Sequence, residues 1–240
     1  MPNYKTEKYI YHLTPVGNID GILASGLLAR AELDDFVDVA GKSIISKRSE
    51  YGLDKYVPFH WVYGSQFDYS VHKTYVEEFL YIAIDRGVAK DDSWKVIPKH
   101  PLSYSGTPEI LDYSVGFEKI NWYNMKPHYE HFYRNYNYNF IHKGKCNLTT
   151  MAECLSPDAV PASKFSKIFV NNEDTMHDIC DMIEELAVEA GLAAREKEVC
   201  GNELQWIGVE VYEIGEGVEV VGSGMNFGIE ISPNMFRYYE

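Results

Sequence analysis

No apolar run in the chain approaches the roughly 18 residues needed to cross a bilayer, which excludes a membrane-spanning helix. Cysteine is scarce. Cys146, Cys154, Cys180 and Cys200 show no C-x-x-C spacing, so neither a zinc site nor a disulfide framework is expected. His128 and His131 stand three apart, but no third ligand follows at a metal-site spacing, and no metal is expected. The opening residues, Met1-Pro2-Asn3-Tyr4-Lys5-Thr6-Glu7-Lys8, lack the apolar stretch of a secretory leader. The expected location is therefore cytoplasmic, with reduced thiols. Phosphate-binding lysine loops and nucleophile elbows are missing as well. The run Gly222-Ser223-Gly224-Met225-Asn226-Phe227-Gly228 has no helix or acidic partner after it. It reads as a hairpin turn, not a dinucleotide-binding loop.

Positive charge is also short: 22 Lys and Arg stand against 36 Asp and Glu, a formal net charge of −14. Such a balance does not suit a protein that grips long stretches of duplex phosphate. The acidity is concentrated. Residues 173–219 carry fourteen Asp and Glu against Arg195 and Lys197, a local net of −12, so the acidic part is the C-terminal third, about residues 173–240. One segment has the opposite character. From Lys126 to Lys145 the basic residues are Lys126, Arg134, Lys143 and Lys145, with Glu130 alone opposing them. Tyr129, Phe132, Tyr133, Tyr136, Tyr138 and Phe140 are interleaved with Asn135, Asn137 and Asn139. Cations, stacking faces and amide donors together are what single-stranded nucleic acid recognition uses, and Tyr133, Tyr136, Arg134 and Lys143 are the expected substrate contacts. A Tyr- and Asn-rich surface loop without a ligand is the plainer alternative.

The chain is long enough to bury a sizeable core, and 45% hydrophobic residues argue against wholesale disorder. Residues 9–14 read as a strand, followed by an Asn18 N-cap, a short helix through Ile19, Ile22 and Leu23, and a stop at Gly26. Residues 32–55 read as a polar loop or lid. Residues 56–62, with Pro58, read as the edge or entry of a strand. Residues 79–85 and 164–170 read as strands. Residues 99–116 and 121–146 read as loop. Met176, Ile179, Cys180, Ile183, Leu186, Ala187 and Ala190 form a helical stripe closed by Gly191. Residues 205–213, 218–221 and 227–232 return to strand. There is no internal repeat and no evident linker, so residues 1–240 are expected to form one α+β domain.

Several short motifs follow one another in a fixed order: Tyr11-His12-Leu13-Thr14, Asn18-Ile19, Ile22-Leu23, Gly26-Leu27-Leu28, Lys47-Arg48, Tyr56-Val57-Pro58-Phe59, Ile120-Asn121-Trp122, Ala152-Glu153-Cys154-Leu155 and Val160-Pro161. This ordered set resembles the DarT family of nucleic-acid-modifying ADP-ribosyltransferase toxins, over roughly residues 9–170. Family members follow V-P-F with an aromatic and an N-P-R-S-P-M-like run. This chain has His60-Trp61-Val62-Tyr63-Gly64-Ser65-Gln66-Phe67 instead.

The resemblance implies an ADP-ribosyltransferase-like mixed sheet with flanking helices and long substrate loops. It implies an enzyme that takes NAD as co-substrate and modifies a base, thymine or guanine, in single-stranded DNA, with a macrodomain antitoxin as partner. Glu153 would be the catalytic carboxylate, set in a short apolar strand and able to hold a ribose hydroxyl, stabilise developing positive charge or deprotonate the attacking base. Arg48, a permanent cation with a rigid fork of donors, would join it, facing a pyrophosphate or a base carbonyl. His12 and Thr14 alternate with Leu13 and share one strand face, where two hydrogen bonds to NAD can form. Asn18, Leu28 and Tyr63 complete the expected NAD site, with Tyr63 or Phe67 stacking on nicotinamide. Each residue also has a plainer reading: a water-facing edge carboxylate, a solvated arginine, a buried histidine satisfied by backbone. An RNA-base transferase, and a catalytically inert module that binds NAD or nucleic acid, remain open alternatives.

Overall fold

A computed structural model of the chain describes residues 3–34, 36–127, 140–196, 205–222 and 224–236. The strand β3, Phe79–Asp85, explains why the molecule needs cover on both sides of its sheet. Its first six residues are all buried. Leu80, Ile82 and Ile84 enter the larger apolar core, while Phe79, Tyr81 and Ala83 enter a smaller one on the opposite face. A strand without polar alternation suits this central position, because side chains alternate faces and both faces are dry. β3 pairs antiparallel along the whole of β1, Tyr9–Pro15, with His12 opposite Ile82.

Among the described residues ten strands form one sheet, in the order β5-β4-β6-β2-β1-β3-β7-β10-β9-β8. The remaining strands are β2, Val57–His60; β4, Lys95–Ile97; β5, Leu111–Asp112; β6, Glu153–Ser156; β7, Lys167–Val170; β8, Glu210–Ile214; β9, Gly217–Gly222; and β10, Met225–Ile231. All neighbours run antiparallel except β7 and β10. The glycine-rich run joins β9 to β10, with Met225 opposite Gly222, as the hairpin reading anticipated. Among the described residues seven helices flank the sheet: α1, Ile19–Ser25; α2, Lys42–Glu50; α3, Gln66–Thr74; α4, Arg86–Asp91; α5, Tyr113–Lys119; α6, Phe140–Thr150; and α7, Glu173–Glu196. The mixed sheet with flanking helices is the expected α+β class.

Several local expectations need correction. β2 is an interior strand, between β6 and β1, although it carries Pro58. Pro58 lies opposite Leu155 of β6. On its other side β2 shares a single register pair with β1, Tyr11 with His60. The missing proline N–H therefore faces a ladder that is already broken, and costs nothing there. Residues 32–55 are not one loop: α2 lies within them, though none of its residues is buried, so the segment shows no apolar stripe. Within the stretches expected as loop, residues 113–116 and 140–146 are helical, parts of α5 and α6. α7 runs past Gly191 to Glu196, and the strand expected from residue 164 begins at Lys167, after a single turn of 3-10 helix.

Two contacts fasten the segments around the site. Arg86 is buried and donates to the carbonyls of Tyr4, Tyr9 and Trp61 at 2.8–3.0 Å, with its guanidinium over the Trp61 and Trp122 rings. Leu27 and Val160 exchange two backbone hydrogen bonds at 2.9 Å, joining the Gly26-Leu27-Leu28 motif to the last motif of the ordered set. Gly26 makes that approach possible. Its φ is +83°, and an added Cβ would sit 2.8 Å from the Val160 carbonyl oxygen. We expect Gly26→Ala to cost at least about 1 kcal/mol, combining a strained φ with a steric clash. A urea midpoint unchanged from wild type would contradict this.

Candidate active site

Because β1 and β2 meet at only one residue pair, the sheet opens between them. His12 bridges the gap: its Nδ1 lies 2.8 Å from the Pro58 carbonyl oxygen. A carbonyl only accepts, so Nδ1 carries the proton and a neutral His12 keeps Nε2 as an acceptor. A cleft of about 710 Å³ occupies this opening, within the ordinary range for small-molecule sites. Its walls bring together Glu153, Arg48, His12, Thr14, Asn18 and Leu28, residues spread over more than half the chain.

Arg48 projects from α2 with Ile44 one turn before it, both facing the cleft. The helix, not the expected polar loop, gives Arg48 a fixed base. Its Nη1 donates to Glu153 Oε1 at 2.7 Å, and the two side chains are only 14% and 5% exposed. Each partner retains one buried atom, Nη2 and Oε2, without a hydrogen-bond partner among the described residues. A buried, half-satisfied ion pair is costly unless a ligand completes it. It leaves one donor and one acceptor at the wall of a cleft, which fits a ribose or phosphate oxygen beside a hydroxyl or an N–H. Asn18 does not cap α1 through its side chain. Its amide instead donates to Thr14 Oγ1 and the Val37 carbonyl and accepts from the Val37 N–H, pinning the segment that forms the far wall.

Burial pushes His12 down to about 4, so it is neutral at pH 7. The linkage has a definite sign. Between about pH 6.5 and 4 the unfolded chain binds a proton at this position that the folded chain refuses, so stability falls as pH falls through that window. Between pH 7 and 5 the loss is about 2 kcal/mol from this group. Burial also lowers His72 and His100, which act in the same direction. Urea denaturation of wild type and His12→Asn at both pH values measures the part that His12 contributes. A wild-type stability independent of pH over this range would contradict it.

Tyr63 is not among the cleft residues. It packs edge-on against Tyr11 and Tyr81, whereas Phe67 does reach the cleft. Tyr133, Arg134 and Tyr136 lie outside the described residues, as does the side chain of Lys143. Of the other two cations in that segment, Lys126 is buried with its ammonium 4.7 Å from the Tyr123 ring, and Lys145 is exposed on α6. Sequence reasoning missed His60 and His100 as cleft residues. His60 is directly opposite Glu153 in the β2–β6 ladder, a fact of register that no local motif reveals.

The family model for DarT, described as an ssDNA thymidine ADP-ribosyltransferase, matches residues 11–199. The chain belongs to the DarT family. Its fold is similar to that of DarT from Thermus sp. 2.9 in complex with ADP-ribosylated ssDNA. That match has a TM-score of 0.60 at 16% identity, covering 74% of this chain and 88% of that one. The same Thermus DarT in complex with NAD+ matches with a TM-score of 0.57 at 16% identity, over 75% and 90% of the two chains. Thermosipho africanus DarTG in complex with ADP-ribose gives a TM-score of 0.58 at 16% identity, over 96% of this chain. This chain spans about half, 51%, of that DarTG chain. No curated protein matches it in sequence. The family expected from the ordered motifs is the family found.

Proposed function

We propose that the protein transfers ADP-ribose from NAD+ to thymine in single-stranded DNA. On this reading it acts in the cytoplasm as the toxin of a toxin–antitoxin or defence system, with a macrodomain protein as the partner that restrains it. The observation that carries the reading is the Arg48–Glu153 pair, with one unpartnered atom on each side chain, in the cleft of a DarT-family chain.

In this reaction the bond between the ribose C1′ and the nicotinamide nitrogen breaks, and nicotinamide leaves neutral. A new bond forms from C1′ to the ring nitrogen of thymine that carries an N–H, and its proton passes to Glu153. The carboxylate also faces the positive character that develops on the ribose, while Arg48 holds the carboxylate in place and offers Nη2 to an oxygen of the substrate. His12, Thr14, Asn18 and Leu28 would bind NAD+ along the β1 wall, with Phe67 in the stacking role. Residues 123–150 would present the DNA strand. The acidic C-terminal third would disfavour long duplex, so single strands are preferred.

Labelled NAD+ offered to matched pools of single-stranded DNA, RNA and protein tests the proposal. Label is expected on the DNA, with affinity for it falling as salt rises, since each neutralised phosphate releases counterions. Label confined to RNA or to protein would overturn the assigned acceptor, and no turnover at all would favour an inert binding module.

A further inference from the structure

His60 and Asp68 form a second titratable pair beside the Arg48–Glu153 pair. Asp68 is fully buried and sits in the first turn of α3. Its Oδ2 is well used, accepting from the Ser65 N–H at 2.9 Å and the Tyr81 hydroxyl at 3.1 Å. With the Ser65 hydroxyl accepting from the Asp68 N–H, this makes a capping box, which fully explains Oδ2. It does not explain Oδ1. That atom is buried, has no hydrogen-bond partner among the described residues, and lies 3.7 Å from His60 Nδ1. The Ser65 hydroxyl is 3.5 Å from the same nitrogen. A buried carboxylate facing Nδ1 sets the tautomer: Nδ1 carries the proton and Nε2 keeps its lone pair. His60 lines the cleft and lies directly opposite Glu153. Opposed residues of an antiparallel pair share a sheet face, with Cβ atoms about 4.5–5.5 Å apart.

We propose that His60, oriented by Asp68, is a second proton-handling residue of this cleft, receiving the proton that Glu153 takes from the acceptor base. The proposal rests on the transferase reading above. Once Glu153 has accepted the proton it is a neutral acid beside Arg48, and must lose that proton before another turnover. The step moves one proton from the Glu153 carboxyl to His60 Nε2, directly or through one water, and restores the carboxylate. The imidazolium formed is held by Asp68 and then gives the proton to solvent. No electron pair leaves the cleft and no further reactant is needed. The ionisable groups around His60 are Asp68 of α3, Glu153 of β6, Arg48 of α2, His12 of β1 and His100 after β4. Of these, Asp68 is held below the ordinary carboxylate range. Burial alone would raise it, but attraction from His60 and the hydrogen bond from the Ser65 N–H prevail. It therefore stays available as an anion across the working pH range.

The test uses His60→Phe, which keeps a ring against Phe67, and His60→Ala with added imidazole. Transfer to a thymine-containing single strand is measured from pH 5 to 9. Wild type is expected to lose turnover on the acid side. His60→Phe should lower kcat by at least about tenfold, the lower end for a lost proton-transfer group, with little change in KM for NAD+. Its acid-side profile should also differ from that of wild type, since Glu153 then handles the proton alone. Imidazole should restore turnover in His60→Ala, which a purely structural role would not allow. If wild type transfers but His60→Phe keeps the same rate and pH profile, or imidazole fails to rescue a folded His60→Ala, the relay is overturned and the transferase reading stands. If wild type fails on every single strand, the reading itself falls, and the relay with it.

Discussion

Glu153→Gln is expected to lower ADP-ribosyl transfer by at least about 10²-fold, the scale of a lost acid–base group, while NAD+ binding survives. Glutamine keeps the volume of the side chain and an oxygen that can accept from Arg48, so the strand β6 and the pair geometry are retained. What it removes is the negative charge facing the ribose and the basic atom that takes the proton. The two losses fall on the transition state more than on the bound substrate, so the effect belongs in kcat more than in KM. Steady-state kinetics on a thymine-containing oligonucleotide, beside calorimetric titration with a non-hydrolysable NAD analogue, separate the two quantities. A Gln variant that modifies DNA at the wild-type rate would remove Glu153 from the chemistry.

Arg48→Ala should have the largest effect on stability in the cleft. It strands the Glu153 carboxylate, 5% exposed, without its cation. Breaking a buried pair on one side costs about 3–5 kcal/mol, and access of water from the cleft places the expectation near the lower figure. The double variant Arg48→Ala with Glu153→Gln should recover part of that loss, because the uncompensated charge is gone. Urea midpoints of the two single variants and the double variant close the cycle. Additive effects would show that the pair is not coupled as the 2.7 Å contact implies. Both variants containing Arg48→Ala should lose transfer, since no cation remains to hold or complement the carboxylate.

The motifs of the sequence named six residues that line one cleft, while several of the elements that carry them were misplaced. Glu153 was named through the ordered motifs; its apolar neighbours Ala152, Cys154 and Leu155 gave only a short strand, and all four residues of β6 are buried. His12 and Thr14 followed from strand alternation, and Gly26 from its place after a helical run. Arg48 was legible only through the order of motifs. Its helix has no buried face and its Ile44-Ile45 pair gives no stripe, so local pattern suggested a loop. Pro58 pointed to an edge strand by a sound rule, and the rule failed because the β1 side of β2 is open. That opening is the cleft, so the misreading fell on the candidate site. His60 and Asp68 could not be read as a pair at all. Their approach depends on β2–β6 register and on the turn that starts α3, neither of which has a sequence period. Lys126 was counted among the cations of the aromatic segment from charge alone, and it is buried with its ammonium over the Tyr123 ring.

The most direct test of the central claim is the intact mass of a short single-stranded oligonucleotide after incubation with the protein and NAD+. Two oligonucleotides suffice, one containing a single thymine and one in which cytosine replaces it. The account predicts a gain of one ADP-ribose on the first and none on the second, with release of one nicotinamide for each modification. Equal modification of both strands, or consumption of NAD+ with neither strand gaining mass, would contradict it.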